Sequence, residues 1–260
     1  MNSRSKAHKT GLIIGGFLYI LGLLIGTAFN LRVAYGYIDL WSFWGYPEPI
    51  DFDYSDNNGE LAVTGFQCPL LLTPGETGNF SIRMRNKTDQ PIQPVIQILV
   101  GERERKDSYT RLKEEFSLAP GETKEFSQTL VAESNMLNDS IKVRIFFATG
   151  RLNAFSISRH CPVFVHRLGN LHGTQILILI SSVMILLVGG GLGLFWRSNS
   201  EEIKRTPRTL YRMIGLAAFI ILAMASNLIE WYFLALMWFL LEILLILSIF
   251  ESDTIKKIFQ

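Results

Sequence analysis

Hydrophobic residues follow two different rhythms along the chain. Near both ends they form long unbroken runs, and in the middle they alternate with polar residues. Gly11 to Leu31 carries no charged side chain, and neither does Gln175 to Trp196. At 1.5 Å per helical residue, each run suffices to cross a hydrocarbon core of about 30 Å. A third apolar block, Met213 to Phe250, has 38 residues. As one helix it would be roughly 57 Å long, nearly twice the core. It is better read as two helices turning near Ser226, Asn227 and Glu230. The expected spans are 11–31, 174–196, 213–229 and 231–250.

Between Glu60 and Val165 the period becomes two. Phe80, Ile82 and Met84 share one face of a run whose alternate positions are polar, and Ile141, Val143 and Ile145 do the same in another. Alternation bounded by turn residues marks half-buried strands. Seven segments qualify: 61–72, 77–85, 92–101, 108–112, 124–133, 141–149 and 155–165. The expected class is a mixed membrane protein, with about four transmembrane helices and an all-β sandwich of about seven strands over residues 60–165.

One internal echo supports a sandwich. Leu72-Thr-Pro-Gly-Glu-Thr-Gly-Asn-Phe-Ser81 recurs as Leu118-Ala-Pro-Gly-Glu-Thr-Lys-Glu-Phe-Ser127. Pro74 and Pro120 preset φ for a tight turn, while Gly75 and Gly121 supply positive φ, the signature of type II turns. An offset of 46 residues is too long for a hairpin repeat and suits equivalent turns in the two halves of a Greek key. This turn grammar resembles the immunoglobulin-like modules of bacterial surface proteins, of the CARDB and NEW3 kind. The resemblance covers residues 60–165 only; it implies a fold and no activity.

Basic residues orient the spans. Arg4, Lys6 and Lys9 lie in the 1–10 tail, and Arg197, Lys204, Arg205, Arg208 and Arg212 in the 197–212 loop. The positive-inside rule places both in the cytoplasm, with residues 32–173 outside. The 251–260 tail returns inside with Lys256 and Lys257, although Glu251 and Asp253 weaken that vote, and a re-entrant third span would leave the tail outside. The chain is expected in the plasma membrane as a multi-pass protein. Gly26-Thr-Ala28 offers a small-x-small cleavage site after the first run, but that run exceeds the usual signal-peptide length, so an uncleaved anchor is expected. The pairs Gly11/Gly15 and Gly22/Gly26 fit G-x-x-x-G and are expected to pack against the protein's own helices, with dimerisation as the alternative.

The juxtamembrane linker, 32–59, is rich in aromatics: Tyr35, Tyr37, Trp41, Phe43, Trp44 and Tyr46. These suit an aromatic belt or interfacial helix ended by Pro47 and Pro49; a docking surface is the alternative. The separation of the last strand from the second span, His166 to Gly173, is short, so that strand should run toward the membrane. With seven alternating strands the first runs parallel to it. Cys68 and Cys161 fall in those first and last strands, which are parallel neighbours in many such sandwiches. A disulfide would staple the domain's ends; two buried thiols are the alternative. Asn79, Asn86 and Asn138 head glycosylation triplets.

Composition adds mostly exclusions. A net charge of +2 and the lack of a basic, aromatic-interleaved cluster in the middle domain argue against a nucleic-acid partner. His160, His166 and His172 are too far apart for shared chelation if 160 and 166 lie on one strand, about 20 Å. No nucleophile elbow, phosphate loop or paired-Cys metal pattern is present, so neither a cofactor, a metal, nor catalytic residues are expected. The run Glu102 to Lys106 reads as a solvated loop. Glu242 is the exception, lying near the middle of the fourth span. A carboxylate there must be protonated, paired or turned toward protein. A proton or cation relay is one reading; a neutral Glu hydrogen-bonded to a facing helix, with Ser181 or Ser182 as donors, or to a subunit partner, is the other. The expected function is a membrane-anchored interaction or scaffold protein, with the bilayer and other membrane or envelope proteins as partners and a homo-oligomer possible. The alternative is a transporter, channel or accessory subunit using Glu242.

Overall fold

The computed structural model describes residues 3–44, 60–101, 109–132, 140–149, 157–198, 207–229 and 231–258. It divides into two compact units, one of Met1–Ala34 with Leu177–Gln260, the other of Tyr35–Ile176.

Among the described residues, four helices build the first unit: α1 (Ser3–Trp44, through Ala34), α2 (Gly173–Ser198, from Leu177), α3 (Pro207–Leu228) and α4 (Tyr232–Ile258). Thr10–Phe43, Gly173–Ser198 and Leu210–Leu228 are long and apolar enough to cross a membrane. The apolar part of α4, Tyr232–Ser248, is 17 residues, about 26 Å of helix and short of a full core. The third apolar block is indeed broken. Ile229 closes α3 by donating to Ala225 O at 3.1 Å, and Trp231 N donates to Ser226 O at 2.8 Å. Glu230 lies outside the described residues. The interior of this unit gathers Tyr19, Met184, Val188, Ala217, Ile220 and Met224. Its outer faces are also apolar, with Phe17, Leu24, Ile178, Leu186, Leu240 and Leu244 exposed, a pattern that suits lipid rather than water.

Glycines set the α1–α2 spacing. A Cβ on Gly15 would lie 2.8 Å from Phe195 N and 3.0 Å from Gly191 O; one on Gly191 would lie 2.8 Å from Gly15 O. One on Gly22 would lie 2.7 Å from Val188 Cγ2. Backbones this close admit only hydrogen at those positions, as small-xxx-small contacts require.

The second unit is a two-sheet sandwich with eight strands among the described residues: β1 (Leu61–Gln67), β2 (Leu71–Leu72), β3 (Thr77–Asn86), β4 (Pro94–Gly101), β5 (Tyr109–Glu115), β6 (Thr123–Val131), β7 (Ser140–Thr149) and β8 (Ile157–Val165). One sheet has the order β1-β3-β6 and the other β2-β8-β7-β4-β5. The seventh strand of the sequence reading becomes an eighth because the segment 61–72 switches sheets. Pro69, lacking an N–H, interrupts it; β1 pairs antiparallel with β3, and β2 pairs parallel with β8 through Leu71↔Phe164. The expected parallel neighbours are therefore the second half of that segment and the last strand. The two inner faces meet as anticipated: Phe80, Ile82 and Met84 from β3 and Ile141, Val143 and Ile145 from β7 all lie in one core. Cys68, in the break between β1 and β2, is disulfide-bonded to Cys161 of β8, with Cα atoms 6.3 Å apart.

Candidate functional site

The repeated turns show why the glutamate belongs to the motif. Gly75 and Gly121 have φ of 85° and 71°, and each turn closes with the bond from residue i+3 to residue i, Glu76 N to Thr73 O at 2.8 Å and Glu122 N to Ala119 O at 3.0 Å. The glutamate side chain then folds back: Glu122 Oε2 accepts from Ala119 N at 2.6 Å, and Glu76 Oε2 from Thr73 N at 2.7 Å. The strands that follow are direct partners, with Ser81 opposite Ser127 and Ile82 opposite Phe126.

Glu76 does more than its twin. Its Oε2 also accepts from Thr73 Oγ1 at 3.0 Å and from Gly173 N, the first helical amide of α2, at 2.8 Å. Gln175 Oε1 completes a capping box by accepting from His172 N at 3.0 Å. An anionic group at a helix N-terminus meets both free N–H groups and the positive end of the dipole. Burial pushes the Glu76 pKa up, but the bonds from Gly173 and Thr73, with His172 nearby, outweigh it and hold the group below its ordinary value. A turn of the sandwich is thus fastened to the start of the following helix.

A second fastening joins the end of α1 to the outward face of β7 and β8. Lys142 alternates with core residues on β7 and so points away from the core, yet its side chain is only 6% exposed. Its Nζ meets Asp39 Oδ2 at 2.9 Å and lies 5.0 Å from the centre of the Phe43 ring. Asp39 and Phe43 are one helical turn apart, so both reach the same ammonium. Gly36, one turn earlier, leaves room for the Phe164 ring, which a Cβ there would strike. On the same face of β8 as Phe164, His160 is buried, with neither ring nitrogen hydrogen-bonded among the described residues. Burial, then the neighbouring Arg144 and Arg159, lower its pKa to about 4.

The aromatic segment is not a linker as far as Trp44, because α1 continues through it. Phe43 is buried, Tyr35 is exposed, and Tyr37 packs edge-on against Trp41 with centroids 5.1 Å apart. Tyr46 and the side chain of Trp44 lie outside the described residues, as do Glu102 to Lys106 and Asn138. Sequence reasoning passed over Lys142 because alternation marks it as solvated. A Lys between Ile141 and Val143 carries no sign that a helix will cover it.

In the helical unit, Glu242 does face other helices, but its partner is Thr27 of α1, whose hydroxyl donates to Oε1 at 2.7 Å. Ser181 instead donates to Leu177 O of its own helix at 2.7 Å, and Ser182 is exposed, so neither serves as the expected donor. A Thr inside an apolar run is an easily overlooked donor. Asn30, one turn after Thr27, donates to Ile220 O at 3.3 Å and accepts from Asn227 Nδ2 at 3.0 Å. Among the described residues no group of three or more His, Cys, Asp or Glu side chains is placed to hold a metal ion.

Comparison with known proteins gives the chain structural neighbours and no family. No protein-family model matches it, and no curated protein does. Similar solved structures include the CARDB domain of the PF1109 protein from Pyrococcus furiosus, 12% identical, covering 44% of this chain and 96% of that one at a TM-score of 0.32. The superoxide reductase (neelaredoxin) of Ignicoccus hospitalis is 12% identical over 42% of this chain and 84% of its own, at 0.31. The alkylpurine DNA glycosylase AlkC of Pseudomonas fluorescens is 13% identical over 40% of this chain and only 30% of its own, at 0.30. The first of these is a module of the kind that the repeated turns resemble.

Proposed function

We propose that the chain is a membrane-anchored interaction or scaffold protein, presenting its sandwich outside the cytoplasm as part of a larger membrane assembly. The observation that carries this reading is the double fastening within residues 35–176. Asp39 and Phe43 hold Lys142, and Glu76 holds Gly173 N. Both contacts lie inside the unit of residues 35–176, so the sandwich carries the last turns of α1 and the first turn of α2 as part of its own packed body, a preorganised surface of the kind that favours binding.

In this account the basic 1–10 tail and 197–212 loop stay in the cytoplasm and all four helices cross the plasma membrane, α4 by locally thinning the bilayer to match its shorter apolar part. The partners are other membrane or envelope proteins, a second copy of the chain included, and no nucleic acid. The reading assigns no catalytic role, since the polar groups of the sandwich serve turns, caps and helix docking.

Affinity purification of the full chain in mild detergent, followed by mass spectrometry, tests the proposal. Specific co-purifying membrane or envelope proteins, or a homo-oligomer, are expected; a lone monomer at native expression level contradicts it. A second reading, a transporter or channel accessory, draws on the buried Glu242–Thr27 pair. A solute or ion flux in reconstituted vesicles, abolished by Glu242→Gln, would favour that reading instead.

A further inference from the structure

Polar groups from three helices meet inside the helical unit. Thr27 and Asn30 come from α1, Ser226 and Asn227 from the end of α3, and Glu242 from α4; apart from the exposed edge of Thr27 they are buried. The Asn30 amide is spent on Ile220 O and Asn227. Glu242 is 1% exposed, and its two oxygens are treated unequally. Oε1 receives the Thr27 hydroxyl at 2.7 Å, whereas Oε2 is buried with no donor among the described residues.

Each bonded group here is neutral, and among the described residues no Lys or Arg is paired with the carboxyl. Among the described residues, the other titratable groups buried in this unit are Tyr19, whose hydroxyl donates to Met213 O, and Tyr232 at the start of α4. A bare anionic oxygen among apolar helices is one of the costliest arrangements a protein can hold. No side chain among the described residues brings positive charge to Oε2.

We propose that Glu242 Oε2 anchors a site for a small monovalent cation, a proton or Na+, enclosed by α1, α3 and α4. A proton needs that oxygen alone. Na+, a hard cation, would draw on both carboxylate oxygens and the lone pairs of Thr27 Oγ1. The site stands whether or not the protein moves the ion, so it does not depend on either reading of function.

A hydrophobic carbodiimide, which attacks protonated carboxyls from the lipid phase, tests this on the full chain in liposomes. Labelling of Glu242, located by peptide mass spectrometry and absent in Glu242→Gln, is expected. Labelling that accelerates with acid and ignores Na+ identifies the proton; labelling slowed by added Na+ identifies Na+. Thr27→Val, which removes the hydroxyl from Oε1, should move half-protection by about tenfold, the scale of one hydrogen bond to a charged group. Infrared difference spectra, with Glu242→Gln to assign the band, give a second readout. Failure to label Glu242 at any pH, or a carboxylate band that responds to neither pH nor Na+, overturns the proposal.

Discussion

His160 makes the outward face of the five-stranded sheet sensitive to acid. It is 4% exposed, sits opposite Arg144 in the β7–β8 register and has no hydrogen bond at either nitrogen. Burial, with help from Arg144 and Arg159, takes its pKa from 6.5 to about 4. The unfolded chain accepts a proton near 6.5, whereas the folded chain resists until about 4. Stability is therefore present above pH 6.5, falls as pH drops through that window, and levels off below it. The gap between the two values corresponds to at most about 3 kcal/mol, of which about 2 kcal/mol falls between pH 7 and pH 5. Glu76 works in a lower window, since its held-down pKa matters only as pH falls below the ordinary carboxylate range. The assay is hydrogen exchange by mass spectrometry on β7 and β8 peptides of the full chain in detergent, corrected for intrinsic rates. Wild type should lose protection on going from pH 7 to 5, and His160→Leu should flatten that loss. An equal pH slope in both proteins would refute the argument, as it would show His160 to be partnered or hydrated.

Other consequences follow from the same contacts. Cys161→Ser removes a cross-link spanning 93 positions, and should cost the sandwich about 2–4 kcal/mol in denaturant titrations, with intact wild type showing no free thiol under non-reducing conditions. Asp39→Asn leaves the buried Lys142 ammonium without its counter-charge and should cost about 1–3 kcal/mol, since Asp39 is itself 36% exposed; adding Lys142→Met should recover most of it, and equal stabilities would remove the pair's assigned role. Gly191→Val drives a side chain into the Gly15 carbonyl and should separate α1 from α2, visible as lost cross-linking between cysteines placed on the two helices.

Periodicity alone located the strands and the core residues Phe80, Ile82, Met84, Ile141, Val143 and Ile145, because each faces an inner surface and must be apolar. The repeated Pro-Gly-Glu-Thr was equally legible, since a positive φ demands glycine. What escaped depends on contacts between segments far apart in the chain. Asn86 reads as a glycosylation site, yet it is fully buried: its amide donates to Gln90 O, Leu118 O and Ala119 O, and its carbonyl accepts from Thr88 N and Oγ1. Nothing local signals those partners. The helix end was placed too early because the aromatics after residue 31 read as a juxtamembrane linker, whereas Gly36, Leu40 and Phe43 form the buried stripe of a helix that continues. Glu242 was recognisable as anomalous from charge in an apolar run, but its donor depended on which helix faces α4.

The central claim is that the sandwich lies outside the cytoplasm while the basic loop lies within it. Single cysteines at Asn79, exposed on β3, and at Ser200, in the basic loop, test it directly through labelling of intact cells with a membrane-impermeant maleimide. The account predicts that Asn79→Cys reacts in intact cells and Ser200→Cys only after permeabilisation. The reverse pattern, or equal reactivity of both, would contradict it.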